Sequence, residues 1–218
     1  GPVMGTVSIT PEDPNNDNTL TCSASATDAD GESPTITYAW STGASGAMAA
    51  LTSAHRPGDE ITCTATATDA SGATATGTAS VTVTNRAPTA GTVSISPDAP
   101  TASDAVTCTS TGAADPDGED VTLSYAWDIN DSPAGTGATL SSGYSKGNSL
   151  TCTVTATDAL GATGTATASV TVANTRPNVT DVVLTPSSLY TNDTVSAVAT
   201  ASDADGDTFT LTYAFSVN

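Results

Sequence analysis

Three short acidic turns hold the side chains best suited to chemistry in this chain. They are Asp28-Ala29-Asp30-Gly31, Asp115-Pro116-Asp117-Gly118 and Asp203-Ala204-Asp205-Gly206, spaced 87 and 88 residues apart. Two carboxylates one residue apart in a tight turn present hard oxygen donors of the kind Ca²⁺ gathers, six to eight of them at about 2.3–2.6 Å. The same residues also make an ordinary turn, with Asp bonding its own backbone and Gly taking φ > 0. The spacing therefore leaves cation binding and plain turn chemistry both open. Glu32, Glu119, Asp120 and Asp207 flank the turns. They would raise the affinity of a cation site and add repulsion without one.

Other chemistry finds little footing. Cys22 and Cys63 lie 41 residues apart, and Cys108 and Cys152 lie 44 apart, one pair at matching positions of each repeat. The placement reads as one disulfide per domain, each worth roughly 4 kcal/mol by loop closure, and points to an oxidising compartment. Zinc is the rival reading, but there is no C-x-x-C spacing and His55 is the only histidine. His55-Arg56-Pro57-Gly58 reads as a loop, and no G-x-S-x-G, P-loop or H-E-x-x-H pattern occurs. A catalytic carboxylate pair would appear once rather than in every repeat, so the chain reads as a non-enzyme. Lys146 is the only lysine, which limits side-chain cross-linking. The sequons at Asn130, Asn178 and Asn192 are of a kind expected by chance in a Thr-rich chain.

The elements that must carry these residues are strands. Thr makes up 44 of 218 residues, and Thr and Val favour strands while Gly and Pro cluster between apolar runs. In Ile61–Thr68 and Leu150–Thr157 every second residue is apolar and the others are Thr. Side chains alternate across a strand, so Ile61, Cys63, Ala65 and Ala67 face inward, as do Leu20, Cys22, Ala24 and Ala26. Cysteines inward on different strands require a bond between two sheets, which is sandwich geometry. The exposed threonines suit a strand face and cross-strand pairing; O-glycosylation is a further reading, and a flat ice-binding array is disfavoured because sandwiches twist.

Each acidic turn is followed by an aromatic strand, Tyr38-Ala39-Trp40, Tyr125-Ala126-Trp127 and Tyr213-Ala214-Phe215. A period near 90 residues is one small β-domain per repeat. The expected domains are 1–85, 86–174 and 175–218. The last is the first half of a third sandwich, in which Ala197 stands where the cysteine belongs. Such a half needs more chain or another molecule to complete it. The connectors Asn85-Arg86-Ala87-Pro88 and Asn174-Thr175-Arg176-Pro177 are too short for floppy tethers. Net charge is −19, with Arg56, Arg86, Lys146 and Arg176 the only fixed cations. That excludes nucleic acid and anionic membrane surfaces as partners, and no run is long enough to span a bilayer as a helix.

Together these residues resemble immunoglobulin-like tandem repeats of bacterial surface proteins, of the polycystic-kidney-disease-type and cadherin-like kind. The likeness rests on Trp40 between Cys22 and Cys63, Trp127 between Cys108 and Cys152, the D-x-D-G turns, and the strand ends at Asp69 and Asp158. Trp127-Asp128-Ile129-Asn130-Asp131 is similar to a W-D-F-G-D stretch of the first family; Trp40-Ser41-Thr42-Gly43 departs from it. A tyrosine corner is missing, because Ile61 and Leu150 stand two before the second cysteine. The resemblance implies an all-β fold of sandwiches arranged end to end. It also places Asp69 at the same end as Asp28 and Asp30, and Asp158 with Asp115 and Asp117, while the third copy has Asp203 and Asp205. Calcium at domain joints is what the cadherin-like likeness implies, near Asn85 for the second set.

The function expected is structural: a repeat segment of an extracellular or cell-surface stalk, adhesin or filament. Its partners would be neighbouring copies or further repeats, with a glycan or cell-surface ligand as a further partner. The alternative is a carbohydrate- or ligand-binding accessory module of a secreted protein, which would need exposed aromatics; Tyr144 and Tyr190 are the residues available.

Overall fold

The computed structural model describes residues 1–216. The first repeat holds β1 (Pro2–Thr10), β2 (Thr19–Asp28), β3 (Thr35–Trp40), β4 (Met48–Ala50), β5 (Glu60–Thr68) and β6 (Thr74–Thr82). They make two antiparallel sheets, β1-β2-β4 and β3-β5-β6. The second repeat holds β7 (Thr92–Ser96), β8 (Val106–Thr111), β9 (Thr122–Ile129), β10 (Ser132–Thr136), β11 (Thr139–Leu140), β12 (Ser149–Thr157) and β13 (Thr163–Thr171). Its sheets are β11-β8-β7 and β10-β9-β12-β13. The described residues contain no helix, and so none long and apolar enough to cross a membrane. The chain is all-β, built of immunoglobulin-like sandwiches.

The period-two pattern decides which face is core. Ile61, Cys63, Ala65 and Ala67 are buried, as are Leu150, Cys152, Val154 and Ala156, while the threonines between them keep partial exposure. Cys22–Cys63 joins β2 to β5, and Cys108–Cys152 joins β8 to β12, both with Cα atoms 6.4 Å apart. Each bond therefore staples one sheet to the other through the core. Trp40 lies directly opposite Cys63 in the β3–β5 register and packs in the cluster that contains both cysteines. Its indole N–H donates to Gly46 O at 3.0 Å, and that of Trp127 donates to Gly137 O at 3.0 Å. The one polar atom of each buried ring is thus satisfied.

Two features of the second repeat depart from the sequence expectation. β10 was not anticipated. It pairs with β9 through a two-residue turn in which Asn130 (φ 49°) and Asp131 (φ 63°) are both left-handed, the geometry whose twist matches a hairpin. Tyr144 was expected at the surface. It is 5% exposed, and its hydroxyl donates to Asp104 O, pinning the loop before β12 to the loop before β8.

The third repeat contains β14 (Asn178–Thr185) and β15 (Ser196–Ser202), one antiparallel pair. Leu184 faces Ala197 there, as Ile9 faces Cys22 and Ile95 faces Cys108. The aromatic segment Tyr213-Ala214-Phe215, expected as a strand, has no strand partner among the described residues and is not one; the Tyr213 hydroxyl accepts from the Ala199 N–H at 3.3 Å. No described strand of the β5 or β12 kind lies beside it, and those are the strands that pair with the aromatic strand in the first two repeats. The inward positions Val182, Leu184 and Phe215 stay exposed there. Residues 217–218, the end of the expected third domain, lie outside the described residues.

Two compact units make up the chain. One consists of Gly1–Thr89, Ala114–Thr122 and Thr157–Gly164. The other consists of Ala90–Ala113, Leu123–Ala156 and the chain from Thr165 onward. The acidic loops of the second repeat thus belong to the same unit as residues 1–89.

Candidate cation sites

Each acidic turn is built the same way. Asp28 Oδ1 accepts from the Asp30 N–H at 2.8 Å, Asp115 Oδ1 from Asp117 at 2.7 Å, and Asp203 Oδ1 from Asp205 at 2.9 Å. The glycines close the turns at φ 81°, 83° and 77°, where a side chain would be strained. This spends one oxygen of the first Asp on the turn and frees the other.

What the turns gather differs from the residues singled out by spacing. In the first repeat, Asp28, Glu32 and Asp69 bring one oxygen each to within 4.8 Å of one another. Asp30 lies outside that group with its side chain 78% exposed. The Asp28 side chain is fully buried, and its Oδ2 has no hydrogen-bond partner. Asp69 Oδ1 accepts from Ser71 Oγ at 2.7 Å and from the Ser71 and Ala73 N–H groups at 2.9 and 2.8 Å. The Ser71 hydroxyl, with those backbone donors, holds the Asp69 carboxyl below its usual value despite desolvation.

In the second repeat the group is Asp115, Glu119 and Asp158. Asp158 Oδ1 accepts from Leu160 and Ala162 N–H at 2.9 and 2.8 Å, and Oδ2 accepts from Asn85 Nδ2 at 2.8 Å. The Asn85 amide is the main reason the Asp158 carboxyl sits below its usual value. The connector is therefore part of this site. Three buried oxygens there have no hydrogen-bond partner: Asp115 Oδ2, Glu119 Oε2 and Asn85 Oδ1. Burial, then the charges of Asp158, Asp115 and Asp117, push the Glu119 carboxyl up, with Arg56 opposing. Asp117 is taken up elsewhere. Its Oδ2 accepts from the Arg86 N–H at 2.7 Å and its Oδ1 from Arg86 Nε at 2.9 Å.

In the third repeat Asp203, Asp205 and Asp207 converge. Asp205 Oδ2 accepts from the Thr175 N–H, while Asp205 Oδ1 and Thr175 Oγ1 are buried without partners. Lys146 pairs with Asp207, a counter-charge on one member of the group.

The acid two residues beyond the second Asp, Glu32, Glu119 or Asp207, is thus a member of every group. Spacing alone ranked it as surroundings, although its recurrence right after the turn glycine was a legible signal. His55 Nδ1 accepts from the Thr52 N–H at 3.0 Å within an exposed loop, with the Thr52 hydroxyl at 3.4 Å. All four cysteines are in disulfides, so no thiolate is available to a soft metal.

The donor set fits a hard cation. In each group three carboxylates converge and at least one has a buried oxygen without a hydrogen-bond partner; they repel one another across a few ångströms, and a divalent ion both satisfies the free lone pairs and cancels the repulsion.

No family pattern matches the sequence, and no curated protein does. Among solved structures the chain is similar to fibronectin(III)-like modules of CbhA from Clostridium thermocellum, with 15% identity over 77% of this chain and 94% of that one, at a TM-score of 0.30. It is similar to a Ca²⁺-stabilised adhesin that helps an Antarctic bacterium reach out and bind ice, with 23% identity over 84% of this chain and 52% of that one, at 0.36. It is also similar to cadherin domains 3–6 of protocadherin gamma B2, with 11% identity over 94% of this chain and 62% of that one, at 0.28. The chain thus spans about half to two thirds of the adhesin and protocadherin chains. Similarities this weak carry no functional argument, and the fold rests on this chain's own strand pairing and disulfides.

Proposed function

We propose that this chain is a structural repeat segment of an extracellular stalk, adhesin or filament, whose connectors are stiffened by calcium. One observation carries the reading. At three positions in register, three carboxylates converge, each group holding at least one buried carboxylate oxygen without a hydrogen-bond partner, and a connector residue, Asn85 or Thr175, contributes to the second and third groups. Asp28, Glu32 and Asp69 would hold the first ion; Asp115, Glu119, Asp158 and Asn85 the second; Asp203, Asp205 and Asp207 the third. An ion bound by both connector and turn removes freedom from the connector. That is what a load-bearing or projecting segment needs, and it gives the recurring turns a purpose that plain turn chemistry does not.

Two disulfides support an oxidising, extracellular setting. Trp40 packed in the cluster of Cys22 and Cys63 supports the immunoglobulin-like likeness, and the acidic groups beside the connectors support its cadherin-like form at the finer level. Further repeats or neighbouring copies are the partners this reading expects.

Calorimetric titration of the full chain with Ca²⁺ tests it. Saturable binding is expected, lost at one site in Asp115→Asn and again in Asp158→Asn, with both variants retaining their disulfides. The absence of binding heat at millimolar Ca²⁺ would remove the calcium reading.

A further inference from the structure

The two connectors are not equivalent, and Arg86 is the difference. Its guanidinium makes four hydrogen bonds: Nε to Asp117 Oδ1 at 2.9 Å, Nη1 to Asp17 Oδ2 at 2.8 Å, and Nη2 to Asn16 Oδ1 and Pro116 O, each at 2.8 Å. Its backbone N–H adds a fifth contact, to Asp117 Oδ2. Asn16 closes the ring by donating from Nδ2 to Asp117 O at 2.9 Å. The Asp117 side chain is fully buried and that of Arg86 is 26% exposed. Both residues, with Asn16 and Asp17, lie in one compact unit.

A planar, always-charged fork of this kind holds several acceptors at fixed angles. A surface ion pair is worth little, but here one partner is out of water and every oxygen of its carboxylate is used. Without the guanidinium, Asp117 would be a buried charge with a single backbone donor.

The third repeat shows the same place without the arginine. Aligning the connectors on Pro88 and Pro177 puts Thr175 at the position of Arg86. Thr175 keeps only the backbone contact, to Asp205. Asp205 Oδ1 and Thr175 Oγ1 are then left buried and unpartnered, and Asp205 joins the acidic group from which Asp117 is absent. The second Asp of the turn is served by a guanidinium in one case and left to the cluster in the other.

We propose that Arg86 is a built-in cation that latches the 115–118 turn to the 85–88 connector and to the 14–17 loop, so that this connector keeps its conformation when divalent cations are removed. The latch itself needs no metal; only the contrast with Thr175 rests on the calcium reading above.

Amide hydrogen exchange on the full chain in excess chelator tests the latch. The segments 85–89 and 114–118 are expected to be protected in the parent chain. In Arg86→Thr, which copies the third repeat, they should exchange roughly tenfold to a hundredfold faster, the range for lost hydrogen bonds to a charged group. Arg86→Lys should fall between, because an ammonium cannot span four separated acceptors. Equal protection in the parent and Arg86→Thr overturns the proposal. Segments of β5 around Cys63 report whether Arg86→Thr is folded. If it is not, Asp17→Ala, which removes one acceptor at an exposed position, must still speed exchange severalfold in 85–89, and no change there overturns the proposal equally. Adding Ca²⁺ to the parent chain reads the other question separately. If exchange at 158–162 does not respond, the calcium reading fails and the latch stands.

Discussion

At the scale of single residues, Glu119 exposes the tension in the acidic groups. Its carboxyl is pushed above the ordinary 4.5 by burial and by three neighbouring Asp charges. A carboxyl raised by folding binds more protons in the folded state than in the unfolded one. Stability therefore falls as pH rises from the unfolded value through the folded one. Asp69 and Asp158 run the other way. Their values are lowered, so the stability they contribute is present above the unfolded value and is lost as pH falls through the folded one. Glu119→Gln in chelator should therefore melt higher than the parent chain at neutral pH, with the difference closing as pH is taken down through the carboxylate range. Melting curves at a series of pH values check this; a variant that melts lower at neutral pH would contradict it. Tyr144 makes the opposite kind of contribution. Tyr144→Phe keeps the ring buried but leaves Asp104 O without its donor, a loss of about 1–3 kcal/mol readable by denaturant unfolding.

At the scale of elements, the connector and the strand that passes it are packed backbone to side-chain position. A Cβ built at Gly164, at the start of β13, would lie 1.9 Å from Pro88 O. Neither is the end of a flexible side chain, so one must move. Gly164→Ala should cost about 1–3 kcal/mol as overpacking, with the loss centred on the connector in hydrogen exchange. Gly118, which has nothing near it, differs because its constraint is its left-handed φ. Much of this level was legible in the sequence. Alternating Thr and apolar residues fixed the faces of β5 and β12, and the inward cysteines on different strands fixed the sandwich. β10 was hidden because its turn uses Asn130-Asp131 rather than a glycine-bearing pair, and Tyr144 because its hydroxyl finds an acceptor 40 residues upstream. The acidic turns were plain, but which acids converge was not. Arg86 claims Asp117, and that depends on Asn16 and Asp17, some 70 residues earlier in the chain. Spacing records neighbours along the chain, and this site is closed by residues distant in it.

At the scale of the whole molecule, a net charge of −19 has two physical readings that ordinary salt can separate. If the acids only keep the chain soluble, their mutual repulsion is diffuse, and any electrolyte relieves it in proportion to ionic strength. In about 1 M NaCl the screening length is only about 3 Å, so melting temperature should climb smoothly and by the same amount in the parent and Glu119→Gln. If the acids also form cages, the relief is local and stoichiometric, because buried oxygens a few ångströms apart are poorly reached by diffuse ions. Millimolar CaCl₂ adds negligible ionic strength. At a hundredfold excess over the dissociation constant it stabilises by about 2.7 kcal/mol, on the order of 10 °C for a sandwich of this size. We expect that step in the parent chain over a background of matched NaCl, and a smaller one in Glu119→Gln, which loses one donor. Equal melting temperatures in CaCl₂ and NaCl of the same ionic strength would return the acidic turns to solubility and turn geometry alone. The disulfides, the sandwiches and the Arg86 latch would remain, since each depends on contacts that no divalent ion supplies.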